Sequence, residues 1–226
     1  MTDADKATLN DSIVNHLLDL DGPIRVEKTT YTDWERYVAI LSTGYQEIAE
    51  TLEILNDTTV LVRRFPYSGT RIERTRYLRF LISSHWNEIY ILKERLVAYP
   101  KRIARFSKAA SIASNNTNSL TALPSVVEDW LDPILRKRGR HVHVYRHDSR
   151  DLQKLELMTL FESINEELAL GLKELQDLDY KDIRKALATE FTTNANSISS
   201  TVDSYFDLIY DAITDNDVLQ TPAGYS

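Results

Sequence analysis

Apolar residues recur at helical spacing along most of this chain, and that spacing constrains the fold more than any other feature. One stripe advances in steps of three and four residues: Trp34, Val38, Leu41, Tyr45, Ile48, Leu52 and Leu55. Such steps place apolar side chains on one face of a helix. Gly and Pro number only six each in 226 residues, which is few for a sheet protein with many turns. The sequence therefore predicts an all-α fold, a helical bundle of six to eight helices.

Local signals predict where several of these helices begin and end. Thr32 and Glu35 form a capping box at the start of the stripe. The expected boundaries are a first helix over 9–17, a helix over 72–99 that stops at Pro100, a polar loop over 115–119, a long helix over 155–175, and a break at 177–179 before a final helix. We find no convincing internal boundary. The prediction is a single helical domain over residues 1–215, followed by a flexible C-terminal tail over 216–226.

The composition excludes several classes of protein. The chain has no cysteine, which excludes disulfides, thiolate zinc sites and cysteine nucleophiles and is typical of a reducing compartment. The N-terminus is acidic and has no apolar signal region, and the apolar runs are too short to span a membrane. We therefore expect a cytoplasmic protein with no membrane partner. No phosphate-binding loop or familiar protease motif is present, and no cofactor is expected.

Positive charge is concentrated in the middle of the chain. The net charge is −7, yet residues 63–150 contain 18 of the 27 Lys and Arg residues and only seven of the 34 Asp and Glu residues. Asymmetry of this kind indicates a surface that faces a polyanion. A helical core whose basic and acidic faces pair with each other is the alternative.

The densest basic stretch also holds three of the five histidines. Its basic and imidazole side chains are Arg136, Lys137, Arg138, Arg140, His141, His143, Arg146 and His147. A histidine can transfer a proton near neutral pH, and a guanidinium can hold a phosphate through two hydrogen bonds. Arg138 and His143 would lie about 140° apart on a straight helix, so we expect a helix end near Gly139 that lets them meet. The alternative is a solvated basic helix end that complements the helix dipole.

Arg138, four intervening residues and His143, between two helices, resemble the motif of the HEPN family. The surrounding residues, 135–138 through 143–145 to 151–152, are similar to the usual context of that motif. The resemblance implies a HEPN-like core over about 32–215 and a homodimer with both motifs in one cleft. It also implies metal-independent endoribonuclease activity, as in toxin–antitoxin or antiviral defence systems, with Arg138 and His143 as the catalytic pair. Tyr145 matches a tyrosine that partner enzymes modify in one toxin–antitoxin branch.

The neighbouring residues leave the register of the motif open. Arg136 with His141 has the same gap, and Arg140 with His147 has a gap of six. We expect Arg136, Lys137, Arg140, His141, Arg146 and His147 to bind RNA if they do not form the motif itself. The alternative function is a non-catalytic helical module that binds RNA or protein, or a regulatory partner in an operon whose acidic terminal helices dock an antitoxin or another protein.

Three other groups of side chains could carry a function. Arg79 and His85 have a similar spacing, but His85 falls on an apolar stripe and is predicted to be a structural histidine. His141 and His143 could hold a metal in an extended segment, but the surrounding cations oppose a dication and no metal site is predicted. Basic residues at 71–79 and 101–108, interleaved with aromatic residues, could form an RNA groove or a solvated face over a core.

Overall fold

A computed structural model of the chain describes residues 31–64, 73–112, 117–143, 150–164, 166–215 and 218–222. These residues form α1 Asp33–Leu61, α2 Arg74–Ala109, α3 Thr117–His143, α4 Arg150–Ile164, α5 Glu166–Ile213, β1 Thr214–Asp215 and β2 Val218–Leu219. The all-α class is confirmed. The described residues contain five helices, so a count of six to eight is not confirmed, and the helix expected over 9–17 lies outside them.

The predicted capping box begins α1. The Thr32 backbone N–H donates to Glu35 Oε2 at 2.8 Å, and the Glu35 N–H donates to Thr32 Oγ1 at 3.2 Å. These bonds satisfy two of the amides that a helix leaves free at its first turn.

The helix end predicted at Pro100 is wrong, because α2 continues to Ala109. A proline inside a helix loses one hydrogen bond and clashes with the preceding turn, which costs about 3 kcal/mol. Leu96, Tyr99 and Ile103 flank it and are almost fully buried. Burial of each such side chain contributes roughly 1.5–3 kcal/mol, so tertiary packing outweighs the local penalty.

The break predicted at 177–179 is also wrong, because α5 runs without interruption from Glu166 to Ile213. Both acidic side chains of this segment have basic partners on other helices. Asp177 contacts Arg74, and Asp179 Oδ2 lies 2.6 Å from Lys154 Nζ. The single helix expected over 155–175 is instead the end of α4 and the start of α5. Of the loop expected over 115–119, residues 117–119 belong to α3, which begins at Thr117, and residues 115–116 lie outside the described part of the chain.

The chain forms two compact units. The first comprises Met1–Ile48, Arg95–Val127 and Val202–Ser226, and the second comprises Ala49–Glu94 and Glu128–Thr201. The prediction of a single domain stays a prediction.

Buried tyrosines tie together the helices of the first unit. The Tyr99 hydroxyl donates to the Leu41 carbonyl at 2.9 Å, and the Tyr205 hydroxyl donates to the Leu96 carbonyl at 3.0 Å. Because each hydroxyl has a backbone acceptor, these large rings can be buried without an unsatisfied donor. The Tyr99 ring also lies against Gly44, in the space that a Cβ would occupy.

The C-terminal residues of the first unit form a hairpin. β1 and β2 pair antiparallel, with Thr214 opposite Leu219 and Asp215 opposite Val218. β2 therefore lies within the segment for which a flexible tail was expected, and residues 223–226 lie outside the described part of the chain.

The second unit has a largely aliphatic core that encloses His85. Each of its helices contributes fully buried residues: Leu55 of α1, Leu78, Leu81 and Ile89 of α2, Leu131 of α3, Leu152 and Leu155 of α4, and Phe191 and Ile198 of α5. Val62, just after α1, is fully buried as well. This packing fixes α3 as far as Leu131, and the predicted site follows immediately after it.

Candidate functional site

The predicted catalytic pair lies at the C-terminal end of α3. The backbone of residues 136–143 is helical, and His143 is the last residue of the helix. The side chains of 137–143, which include Arg138, Arg140, His141 and His143, are outside the described part of the structure. Residues 144–149, with Tyr145, Arg146 and His147, are outside it as well.

The helix end expected near Gly139 is wrong, because α3 passes through this glycine. A single glycine costs a helix only about 1 kcal/mol relative to alanine, and the leucine, lysine and arginines around it are good helix formers. With no bend at residue 139, positions 138 and 143 lie about 140° apart around the helix axis. The turn that was expected to bring Arg138 and His143 together is therefore not present in the backbone.

Arg136 is the one member of the predicted RNA-binding set whose side chain is described. It is exposed, and its Nε donates to Asp132 Oδ2 at 2.6 Å, one helical turn earlier. This hydrogen bond, with the charge of Asp132, raises the pKa of Arg136. An exposed ion pair is weak and screened by salt. A phosphate could displace the carboxylate, but Asp132 competes for the same guanidinium.

His85 is a buried, structural histidine, as the sequence predicted. It is 0% exposed, and its ring stacks on Phe191 with a centroid distance of 3.9 Å. Thr58 Oγ1 lies 2.8 Å from His85 Nδ1, and the same hydroxyl donates to the Leu55 carbonyl at 2.7 Å. Since a hydroxyl has one proton, Thr58 accepts from His85, which therefore carries its proton on Nδ1.

The other ring nitrogen of His85 is held as an acceptor. Asn194 Nδ2 lies 3.5 Å from His85 Nε2 and approaches it as a donor. A second proton on the ring would have to bind to Nε2, where it would point at the N–H donor of Asn194 in an apolar interior. Burial accordingly lowers the pKa of His85 to about 4. This histidine is neutral at pH 7 and is closed off from a substrate.

The basic residues of α2 divide into separate groups. Arg79 pairs with Glu156 at 2.7 Å, and Arg102 lies 3.5 Å from Glu47. Tyr99, an aromatic residue beside the basic positions 101–108, is buried and is not available for stacking on a base. The described residues of α2 therefore favour the solvated face over the stacking groove.

No family model, curated protein or solved structure matches this chain. The HEPN resemblance therefore rests on Arg138, His143 and the residues around them.

Neither a metal cluster nor a membrane span is found where the structure can be described. Within the described ranges, no group of three or more His, Cys, Asp or Glu residues is arranged to hold a metal ion. The described helices likewise include none that is long and apolar enough to cross a membrane. The side chains of His141 and His143, the alternative metal ligands, are outside the described part of the structure.

Sequence reasoning missed two cavities on α5 in the second unit. One is a wide-open surface depression of about 620 Å³ over one face of the helix, from Asp182 to Asn194. The other, of about 200 Å³, brings the first residue of α2 against residues 177–184 of α5. Arg74 had been assigned to a basic face, and 177–179 had been interpreted as a break. No local pattern linked the two segments.

Proposed function

We propose that this protein is a metal-independent endoribonuclease of HEPN type, with Arg138 and His143 as the catalytic pair. The observation that carries the proposal is the Arg138-x4-His143 spacing. Its setting supports the proposal, since the motif lies in the basic middle of the sequence and in a chain whose described part is almost entirely helical. The biological role proposed with it is a cytoplasmic toxin or antiviral effector, restrained by a partner protein.

The chemistry assigns a separate task to each side chain. The 2′-hydroxyl loses its proton and attacks the adjacent phosphorus, and the bond from phosphorus to the 5′-oxygen of the next nucleotide breaks. The leaving oxygen takes up a proton, so the products are a 2′,3′-cyclic phosphate and a 5′-hydroxyl. Arg138 holds the phosphate and neutralises its developing charge, while His143 transfers the proton. Arg140 and His141 assist through charge.

Because the backbone of α3 is continuous, we propose that the active site includes a second copy of the chain. Positions 138 and 143 face different directions on one helix, whereas two helix ends in one cleft can offer an arginine and a histidine to the same phosphodiester. A homodimer with both motifs in one cleft is therefore the proposed active form.

The test is cleavage of RNA by the purified protein in the presence of EDTA. Wild type should cut and leave cyclic phosphate ends, and His143→Ala should lose the activity while its unfolding transition is unchanged. His141→Ala and His147→Ala are the comparison variants, because each removes one imidazole from an overlapping pair. His141 assists only through charge, so its replacement should reduce the rate far less than that of His143. If His143→Ala cuts as well as wild type, the assignment fails, and complete loss of cleavage in one of the comparison variants would identify the correct register.

A non-catalytic module that binds RNA through the same stretch is the second candidate. It is favoured by the unbroken course of α3 and by the ion pair that engages Arg136. This candidate predicts salt-sensitive binding without cleavage, and similar losses of affinity when Arg136, Arg138 or Arg140 is replaced by alanine. Binding that persists in EDTA while no cyclic phosphate forms would select it.

A further inference from the structure

The smaller cavity of the second unit has the size of a site for a small anion. Its volume is about 200 Å³, and its walls are Arg74 of α2 and Asp177, Tyr180, Lys181 and Arg184 of α5. A water molecule occupies roughly 30 Å³ of liquid, so a phosphate group and some of its hydration water fit there. The four α5 residues lie within two turns of one helix.

Positive charge is in excess at this cavity. Three of the five lining side chains are cationic and one is acidic. Asp177 contacts Arg74 and neutralises that charge. In the described part of the chain, no carboxylate forms an ion pair with Lys181 or Arg184. Two cations therefore face the same small space without a counter-charge from these residues.

The two guanidinium groups are held in place by one aromatic ring. Tyr180 is only 5% exposed, and its ring centroid lies 5.5 Å from the guanidinium carbon of Arg74 and 5.7 Å from that of Arg184. Cations over an aromatic face are attracted to it, which restricts both arginines before any ligand binds. A guanidinium ordered in this way loses less entropy when it binds a planar or tetrahedral oxyanion.

We infer that this cavity is a binding site for a phosphate group, which Lys181 and Arg184 contact directly and Arg74 attracts from beside Asp177. Arginine forks hold phosphate through two parallel hydrogen bonds, and lysine adds a compact charge. The inference does not depend on the ribonuclease proposal, since none of these residues belongs to the Arg138–His143 motif. The phosphate can be a free phosphate ion or part of an RNA backbone, and both present the same oxygens.

The test is calorimetric titration of the full chain with inorganic phosphate at low ionic strength. Wild type should bind one phosphate saturably, and Arg184→Gln and Lys181→Gln should each weaken binding about tenfold or more, as expected for loss of a charge-assisted hydrogen bond. Lys185→Gln is the matched control, because it removes the same charge from the next position on α5, outside this cavity. Its affinity should stay within about twofold of wild type, which ordinary surface screening allows.

The acidic residue provides a test of opposite sign. Asp177→Asn should strengthen phosphate binding several-fold, since it removes the carboxylate that pairs with Arg74, whereas Asp182→Asn, outside this cavity, should have little effect. Absence of saturable binding to wild type, or equal changes in the site variants and their controls, would overturn the inference.

A competition experiment distinguishes the two sources of phosphate. If a dinucleotide phosphodiester displaces inorganic phosphate from wild type, the site holds RNA backbone. If inorganic phosphate binds and the dinucleotide does not compete, the site holds free phosphate. If His143→Ala loses RNA cleavage but binds phosphate as wild type does, the phosphate site is distinct from the proposed active site.

Discussion

Protonation of His85 should make the fold sensitive to acid in a defined pH range. The pKa of this histidine is near 6.5 when the chain is unfolded and about 4 in the native protein. Between these two values the unfolded chain binds more protons than the native one. The contribution of His85 to the free energy of unfolding is therefore fully present above pH 6.5. It decreases as the pH is lowered and is lost near pH 4.

The size of this effect follows from the shift of the pKa. One pKa unit corresponds to about 1.4 kcal/mol, so the full shift amounts to roughly 3 kcal/mol, of which about 2 kcal/mol is already lost at pH 5. The physical source is burial of the ring, which is 0% exposed and stacks on Phe191.

Urea unfolding at pH 7.5 and pH 5.0 measures the loss, with His85→Gln as the variant that cannot titrate at this position. The decrease in unfolding free energy between the two pH values should be about 2 kcal/mol larger in wild type than in His85→Gln, because other titrating groups are common to both proteins. The imidazole signal of His85, identified by its absence from His85→Gln, should also titrate with a midpoint near 4. Equal pH dependence in both proteins, with a midpoint near 6.5 for this signal, would refute the reasoning.

Three further predictions concern the first unit and the start of α1. Gly44→Ala should destabilise the protein by about 1–3 kcal/mol in urea unfolding, since the new Cβ would occupy the space of the buried Tyr99 ring. Unchanged stability would contradict this contact. Tyr205→Phe should cost about 1 kcal/mol, because the Leu96 carbonyl loses its hydroxyl donor, and a thermal midpoint equal to that of wild type would argue against the bond. Thr32→Ala should cost about 1 kcal/mol through loss of the cap, whereas Thr32→Ser should retain most of the stability.

Features that depend on the overall hydrophobic pattern could be predicted from the sequence. The α1 stripe indicated a buried face, and Val38, Leu41, Ile48 and Leu55 are buried, although Tyr45 of the same stripe is 45% exposed. The cap at Thr32 followed from a local signal, a threonine and a glutamate three positions apart. In such cases the local pattern and the tertiary packing favour the same structure.

Helix ends could not be predicted where tertiary contacts outweigh a local signal. Pro100 disfavours a helix, but the buried residues on either side of it hold α2 together. The pair at 177–179 resembled a break, yet both acidic side chains reach cations on other helices. Gly139 was expected to end α3, and its cost is too small to do so among good helix formers. In each case the prediction overestimated the effect of a local signal relative to that of the residues around it.

The cavity on α5 could not be predicted for a different reason. Arg74 and Asp177 are 103 positions apart in the sequence, and no periodicity relates them. Their contact depends on how α2 packs beside α5. Charge alone identified Arg74 as one member of a basic face and gave no partner for it.

Cleavage rates of Arg138→Ala, His143→Ala and the double variant, measured in EDTA under single-turnover conditions, test the central claim most directly. Two side chains that act on one phosphodiester as a unit give non-additive losses, so each single variant should lose at least about a hundredfold and the double variant little more. A wild-type rate in either single variant, with all proteins folded, would contradict the account.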